Sequence, residues 1–240
     1  MSERSLSGDK NSPPAVYTLA LEGATYAGSV ALLRDAAVIA ERTLADEDGS
    51  VSRAGRGEKL MPAIAECLAG AKVERSEIAR IVCGSGPGSF TSLRVAGSVA
   101  KGLATGLGVP LYAVSSLLLT VTGAKPPAPQ GEYLSVLDAM RGEFYAARVV
   151  LTPDEDPQLD PARIISAEEL REIESMNSHL RVIGPGQQID AHPHARGVAP
   201  LLAAVIRAGT VDLASWEPDY GRLAEAQVRW EAAHGRPLAT

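Results

Sequence analysis

"IARIVCGSGPGSFTSLRVAGSVAKGLATGLG", Ile78 to Gly108, passes from a short apolar run through a glycine-proline bend into a segment with helical spacing. Ile78 to Ser85 reads as a buried strand and Gly84 to Gly88 breaks it. Ser89 or Thr91 then caps a helix carrying Leu93, Ala96, Val99, Ala100 and Leu103 on a 3.6-residue period. "VPLYAVSS" follows as a second buried strand, so the stretch is a strand-helix-strand unit. Its glycines suit two uses, a cradle for an anion at a helix N-terminus or a tight strand-to-helix turn. The spacing matches no standard phosphate loop: GxxxxGKS/T is absent, and Gly84, Gly86 and Gly88 do not continue to the third glycine of GxGxxG. No serine sits in GxSxG either, which excludes a hydrolase elbow.

Upstream, Val16 to Gly23, Gly28 to Asp35 and Ala37 to Ala45 are three β-like runs joined by tight connections, an antiparallel meander. A polar loop, "DEDGSVSRAGRG", leads to Leu60, Met61, Ile64, Cys67 and Leu68 at helical spacing, with Pro62 expected in the first turn, where a missing amide costs nothing. The first 115 residues therefore read β-β-β-α-β-α-β. That is the order of the ribonuclease H-like half-domain found in the actin, Hsp70 and sugar kinase fold, and the expected class is α/β, actin-like, with two half-domains.

Beyond the Pro-rich connector "GAKPPAPQG" (123–131), "YLSVLDAMRGEFYAARVV" again gives strand, acidic residue, glycine turn and strand. Glu22 and Gly28 in the first pair answer to Asp138 and Gly142 in the second. A degenerate internal duplication and a chance recurrence of a hairpin both fit so short a match. "ISAEELREIES" is a helix with Ser166 and Glu169 as a capping box, "HLRVIGPG" a strand, "ARGVAPLLAAVIRAG" a helix, and the rest a charged tail with two anchoring aromatics. The expected division is a disordered tail over 1–15, a first half over 16–122, the connector over 123–131 and a degenerate second half over 132–240.

With 240 residues, 45% of them hydrophobic, the chain has ample core. Its net charge is −6 and its 23 basic residues are scattered, so strong binding to nucleic acid by this chain alone is not expected. No signal-type h-region and no run of ~18 apolar residues occurs, which gives a cytoplasmic reading without membrane contact. Cys67 and Cys83 read as small buried hydrophobes. His179, His192, His194 and His234 lack an HxxxH spacing and read as surface residues, so no metal ligand and no catalytic residue is assigned. Small residues at Ala96, Gly97, Ala100, Ala104 and Gly106 would let another helix approach closely, within this chain or from a partner.

"GSGPGSFTSLRVAGSVAKGLA" closely resembles the GxGPGSFTGLRxG signature of the TsaB family, the dimerization subunit of the bacterial tRNA threonylcarbamoyladenosine system. The resemblance extends through "LALEGAT" (an IDTS-like turn), "GEKLMPAI" (HSExLxP-like), "LDAMRGEFYAA" (DARxGEVY-like) and "EPDYGRLAEAQVRWE" (Pro-x-Tyr-x-Arg), leaving only the first fifteen residues outside. Glu22 and Gly23 stand where the family has Asp-Thr, Gly57 where His or Ser is usual, and Ser92 where it has glycine.

The resemblance implies a non-catalytic subunit that pairs with the catalytic TsaD through its first two helices, helps recruit the ATPase TsaE, and forms a homodimer when alone. tRNA would be met through the complex. The implied partner surface is Leu60, Met61, Ile64 and Leu68 with Phe90, Leu93, Arg94, Gly97 and Ala100. Glu22, Thr25 and Asp138 mark a vestigial nucleotide site, with ATP or ADP expected, if anywhere, at the partner interface. The rival readings are an independent actin-like phosphotransferase holding Mg²⁺ and ATP on Glu22 and Asp138, a peptidase, and a homodimeric module with some other partner.

Overall fold

A computed structural model describes residues 15–44, 56–177, 179–222 and 234, the side chains of 56–58 excepted. The tail expected over 1–15, but for its last residue, most of the polar loop, Gly57 as a side-chain environment, and Trp230 lie outside the described residues.

β1 (Tyr17–Glu22), β2 (Ser29–Arg34) and β3 (Ala37–Thr43) form the meander, both pairings antiparallel. α1 (Arg56–Ala71) carries the chain to β4 (Ile78–Gly84), which lies parallel to β1, and α2 (Phe90–Leu107) carries it to β5 (Leu111–Val114), parallel to β4. Among the described residues this sheet has the order β3-β2-β1-β4-β5. Its middle strands are covered on both sides, as parallel pairing demands. Leu19, Leu21, Val30, Leu32, Ile81 and Cys83 face α1 and α2, while Ala20, Ala31, Leu33 and Val82 face the other way. Both cysteines are buried and free, as small hydrophobes. α2 ends where Gly108 adopts φ +66 and its N–H reaches the Ala104 and Thr105 carbonyls, a glycine stop.

α1 begins at Arg56, so Pro62 stands inside the helix and not in its first turn. The ring is on the exposed side, where water can take up the carbonyl that its missing N–H abandons. α3 (Ser116–Thr122) follows β5, and no helix was expected there.

The second half repeats the plan. β6 (Gly131–Asp138) and β7 (Glu143–Leu151) form a hairpin, β8 (Gln158–Leu159) and β9 (Arg163–Ser166) both pair with β7, and α4 (Ala167–Met176) leads to β10 (Arg181–Gly184), parallel to β6. Ser166 caps α4 by accepting the Glu169 N–H at 3.0 Å. β11 (Ile189–Asp190) completes the order β11-β10-β6-β7-β8. Leaving aside β9, which pairs with β7 off this path, both sheets run from the meander side as third, second, first and then the two later strands, so the duplication is a property of topology. The second copy has only Pro185 to Gln188 where the first has α2.

A 3-10 turn (Ala195–Gly197) opens α5 (Val198–Ala208). The closing helices cross between the halves: α5 lies on the first sheet, and α3 lies between the two, with Leu119 on the first and Val121 on the second. Val121 of α3 packs with Tyr133, Val149 and Ile183 of the second sheet. Val198, Leu201, Leu202 and Val205 of α5 pack on Ala20, Ala31, Leu33 and Val82 of the first. Removing one such leucine side chain costs about 2–5 kcal/mol, so each sheet depends on the other half's helix. By packing, α5 and the segment through Trp216 lie on the first half, while Tyr220 and Arg222 reach the second.

Candidate functional site

The glycine bend turns inward. A Cβ on Gly84 would stand 1.9 Å from Glu22 Oε2, so a side chain there would displace the buried Glu22 carboxyl. Three amides of the bend itself are committed within the chain. Ser85 N donates to Val114 O at 2.8 Å, Gly86 N to Ser116 Oγ at 3.1 Å, and Ser89 N to Ala24 O at 2.7 Å.

Glu22 ends β1 fully buried. Its Oε1 accepts the Ala24 N–H at 2.5 Å, and Ser116 Oγ lies 3.1 Å from Oε1 and 3.0 Å from Oε2. Burial pushes the carboxyl up to about 7, against the pull of the Ala24 N–H, the Ser116 hydroxyl and the Gly23 N–H. Cys83, beside it, is pushed far up by burial and by the Glu22 charge, and is an inert thiol. Thr25 Oγ1 is buried without a hydrogen-bond partner. Asp138 is exposed and spends Oδ1 on the Met140 N–H of its own turn, at 2.7 Å.

The structure therefore does not gather Glu22, Thr25 and Asp138 into a metal or phosphate site. Ala24, Leu93, Leu117, Leu137, Ala139, Tyr145 and Ala147 form an apolar cluster joining the first hairpin turn to the second, with Tyr220 against it. A nucleotide and its metal ion do not fit a carboxyl enclosed among such groups, and no reaction step is routed through them. Among the described residues no group of three or more His, Cys, Asp or Glu side chains is placed to hold a metal ion.

His194 corrects the expectation of surface histidines. It is 4% exposed, its Nδ1 accepts the Arg196 N–H at 3.1 Å, and its Nε2 lies 3.4 Å from Thr43 Oγ1. Burial, then the Arg196 charge, pushes it down to about 4, opposed by Glu41 and seconded by Lys125. With Arg196 bonded to Glu41 at 2.9 Å and Ala195 N donating to Ser29 Oγ at 2.9 Å, this group anchors the entry of α5 on the first sheet.

The residues expected to meet a partner divide. Leu60, Ile64 and Ala100 are buried against the chain's own first sheet, because an apolar helical stripe is claimed first by the sheet beneath it, and Leu93 is buried in the joint between the halves. Gly97 is buried too, under the C-terminal segment: a Cβ there would lie 3.0 Å from Pro218 Cγ. Leu68 and Phe90 are half-buried, and Met61, 48% exposed, and Arg94 remain on the surface.

The outward side of α2 carries what periodicity alone did not single out. Phe90, Thr91, Arg94, Val95, Ser98 and Val99 line an open groove of about 430 Å³, apolar over most of its lining. Val95 and Val99, four apart, flank the buried stripe and pack partly against the core; Val99 was already on the helical period, and Val95 beside it was the signal left unused.

Two ribonuclease H-like halves, closing helices that cross between them and an apolar joint where the halves meet define an actin-like α/β protein. A model of the family described as TsaD, tRNA N6-adenosine threonylcarbamoyltransferase, matches residues 51–176. TsaB of Escherichia coli (strain K12), named a tRNA threonylcarbamoyladenosine biosynthesis protein, is 33% identical over 54% of this chain and 53% of its own. TsaB of Bacillus subtilis (strain 168) is 27% identical over 88% of this chain and 96% of its own. The chain thus spans about half the length of the first relative and nearly all of the second. The structure of YeaZ from Pseudomonas aeruginosa superposes with a TM-score of 0.68 at 23% identity, covering 85% of this chain and 99% of that one. The chain belongs to the TsaD family, and within it the similarity runs to TsaB proteins. No described helix is long and apolar enough to cross a membrane.

Proposed function

We propose that this chain is a non-catalytic scaffold subunit in tRNA threonylcarbamoyladenosine biosynthesis. It docks on the catalytic TsaD through the outward face of α2, with Met61 of α1 beside it, and TsaE joins the pair. Alone, it pairs through the same face with a second copy. TsaD would transfer threonylcarbamoyl to the adenosine next to the anticodon of tRNAs that read codons beginning with A. This chain would hold TsaD in its active arrangement in the cytoplasm, reaching tRNA only through the complex.

The observation that carries the reading is the open groove between Phe90 and Val99 on a chain whose glycine bend is turned inward. The names of its relatives and the enclosed Glu22 support it. ATP or ADP, where present, would sit at the TsaD interface.

Val95→Asp places a charge in the middle of the groove, where docking would have to desolvate it. The variant is expected to keep its fold by circular dichroism, to lose pairing with the same organism's TsaD by sedimentation, and to leave tRNA unmodified in the reconstituted system. Undiminished pairing would sink the reading. So would ATP turnover by the isolated chain that disappears on Glu22→Ala, which would establish the phosphotransferase instead.

A further inference from the structure

Trp216 to Arg222 lies where three parts of the molecule meet. On α2, Pro218 and Trp216 cover Gly97, and Lys101 Nζ donates to Trp216 O at 2.9 Å. At the glycine bend, Asp219 N donates to Ser85 O at 2.7 Å. Against the second sheet, Tyr145 Oη donates to Tyr220 O at 3.1 Å, and Arg222 forms an ion pair with Glu143. Gly221, at φ +68, is pressed between the halves: a Cβ there would stand 2.3 Å from Tyr145 Cε1 and 3.0 Å from Pro87 Cβ. The Tyr220 ring rests on Phe90, centroids 4.5 Å apart and planes at 45°. Phe90 in turn lines the groove and lies under Arg94, 5.8 Å from ring centroid to guanidinium carbon.

We infer that Trp216–Arg222 is a strap that couples the groove on α2 to the seating of the second half. Resting on the reading that the groove is the docking face, the inference adds a residue that acts without touching the partner. Tyr220 is a positioning residue that fixes Phe90 as one wall of the groove. Its backbone carbonyl is fixed in turn by Tyr145 of β7, so wall and second sheet are joined through one residue. Coupling is reciprocal. A seated strap presents the groove in its docking shape, and a partner that packs on Phe90 must hold the strap more firmly against Tyr145 and Glu143.

The test uses the full chain, TsaD from the same organism, and the variants Tyr220→Ala, Tyr220→Phe, Gly221→Val and Val95→Asp. Tyr220→Ala and Gly221→Val are expected to weaken pairing by about tenfold, within the usual range of coupling between sites. Tyr220→Phe keeps the ring and the carbonyl and should pair like the parent. In the unaltered chain, adding TsaD should slow amide exchange at Asp219 and along Glu143 to Tyr145, a response that a tail of merely local importance would not give. If Val95→Asp loses pairing while Tyr220→Ala keeps it, or if those amides exchange alike with and without TsaD, the strap falls and the docking face stands. If Val95→Asp pairs normally, the docking face falls and takes the coupling with it. Should Tyr220→Ala fail to fold, the exchange measurement on the unaltered chain decides alone.

Discussion

Glu22→Gln isolates the cost of burying an acid under the glycine bend. In the folded chain burial pushes the carboxyl up to about 7, against 4.5 as the ordinary value, because the Ala24 N–H, the Ser116 hydroxyl and the Gly23 N–H only partly replace the water lost on burial. A native value above the unfolded one means that the native state binds the extra proton, so stability from this group is full below pH 4.5 and is lost as the pH rises toward 7. A displacement of that size is worth about 3 kcal/mol. Glutamine is uncharged at every pH, can still accept the Ala24 N–H through Oε1, and can meet the Ser116 hydroxyl as donor or acceptor. Unfolding the parent and Glu22→Gln in guanidinium at pH 5, 6, 7 and 8 should therefore give two curves that separate with pH. The variant should gain on the parent by up to about 3 kcal/mol between pH 5 and 8. Curves that run parallel would show that Glu22 is already ionised in the fold and that the enclosure described for it is wrong.

His194 has the opposite sign. Its native value near 4 lies below the ordinary 6.5, so its contribution is full above pH 6.5 and is lost as the pH falls toward 4. The parent's acid limb is therefore partly hidden by the gain at Glu22 over the same range. His194→Gln should flatten the loss of thermal stability between pH 6.5 and 4.5, and an unchanged slope would count against a neutral buried imidazole. Thr18 is buried in β1 with its hydroxyl unpartnered. Thr18→Val should be neutral or stabilising, by about 1 kcal/mol at most, in a urea titration, and a clear loss would reveal a partner for the hydroxyl.

The meander, the strand-helix-strand unit and the capped α4 were legible because each is a local pattern, bounded by glycines or a cap. α3 was not: "SLLLTVT" is seven residues of leucine, valine and hydroxyl side chains, too short to show a period whether it is helix or strand. β8 and β11 are two-residue strands, made by the neighbour they pair with more than by their own residues. The duplication was half visible, as a matching hairpin, and became plain only in the order of the sheets, which no short stretch encodes. At the site, the spacing on α1 and α2 located the apolar faces but could not say who covers them. Leu60, Ile64 and Ala100 turned to their own sheet and Leu93 to the joint between the halves, which left the half-buried Val95 and Val99 to line the groove. His194 escaped for a similar reason, since its burial comes from Arg196 and Thr43, the latter more than a hundred residues away in sequence.

The crossing of the closing helices also bears on synthesis. A ribosome delivers Ala20, Ala31 and Leu33 long before Leu201 and Leu202, the residues that cap them. At ordinary elongation rates the interval is roughly ten to thirty seconds, during which that side of the nascent first sheet lacks α5 and has only α3 to cover it. A trigger-type chaperone that shields apolar strands would have its longest task on this chain there, and codons that slow translation between the two halves would lengthen the exposure.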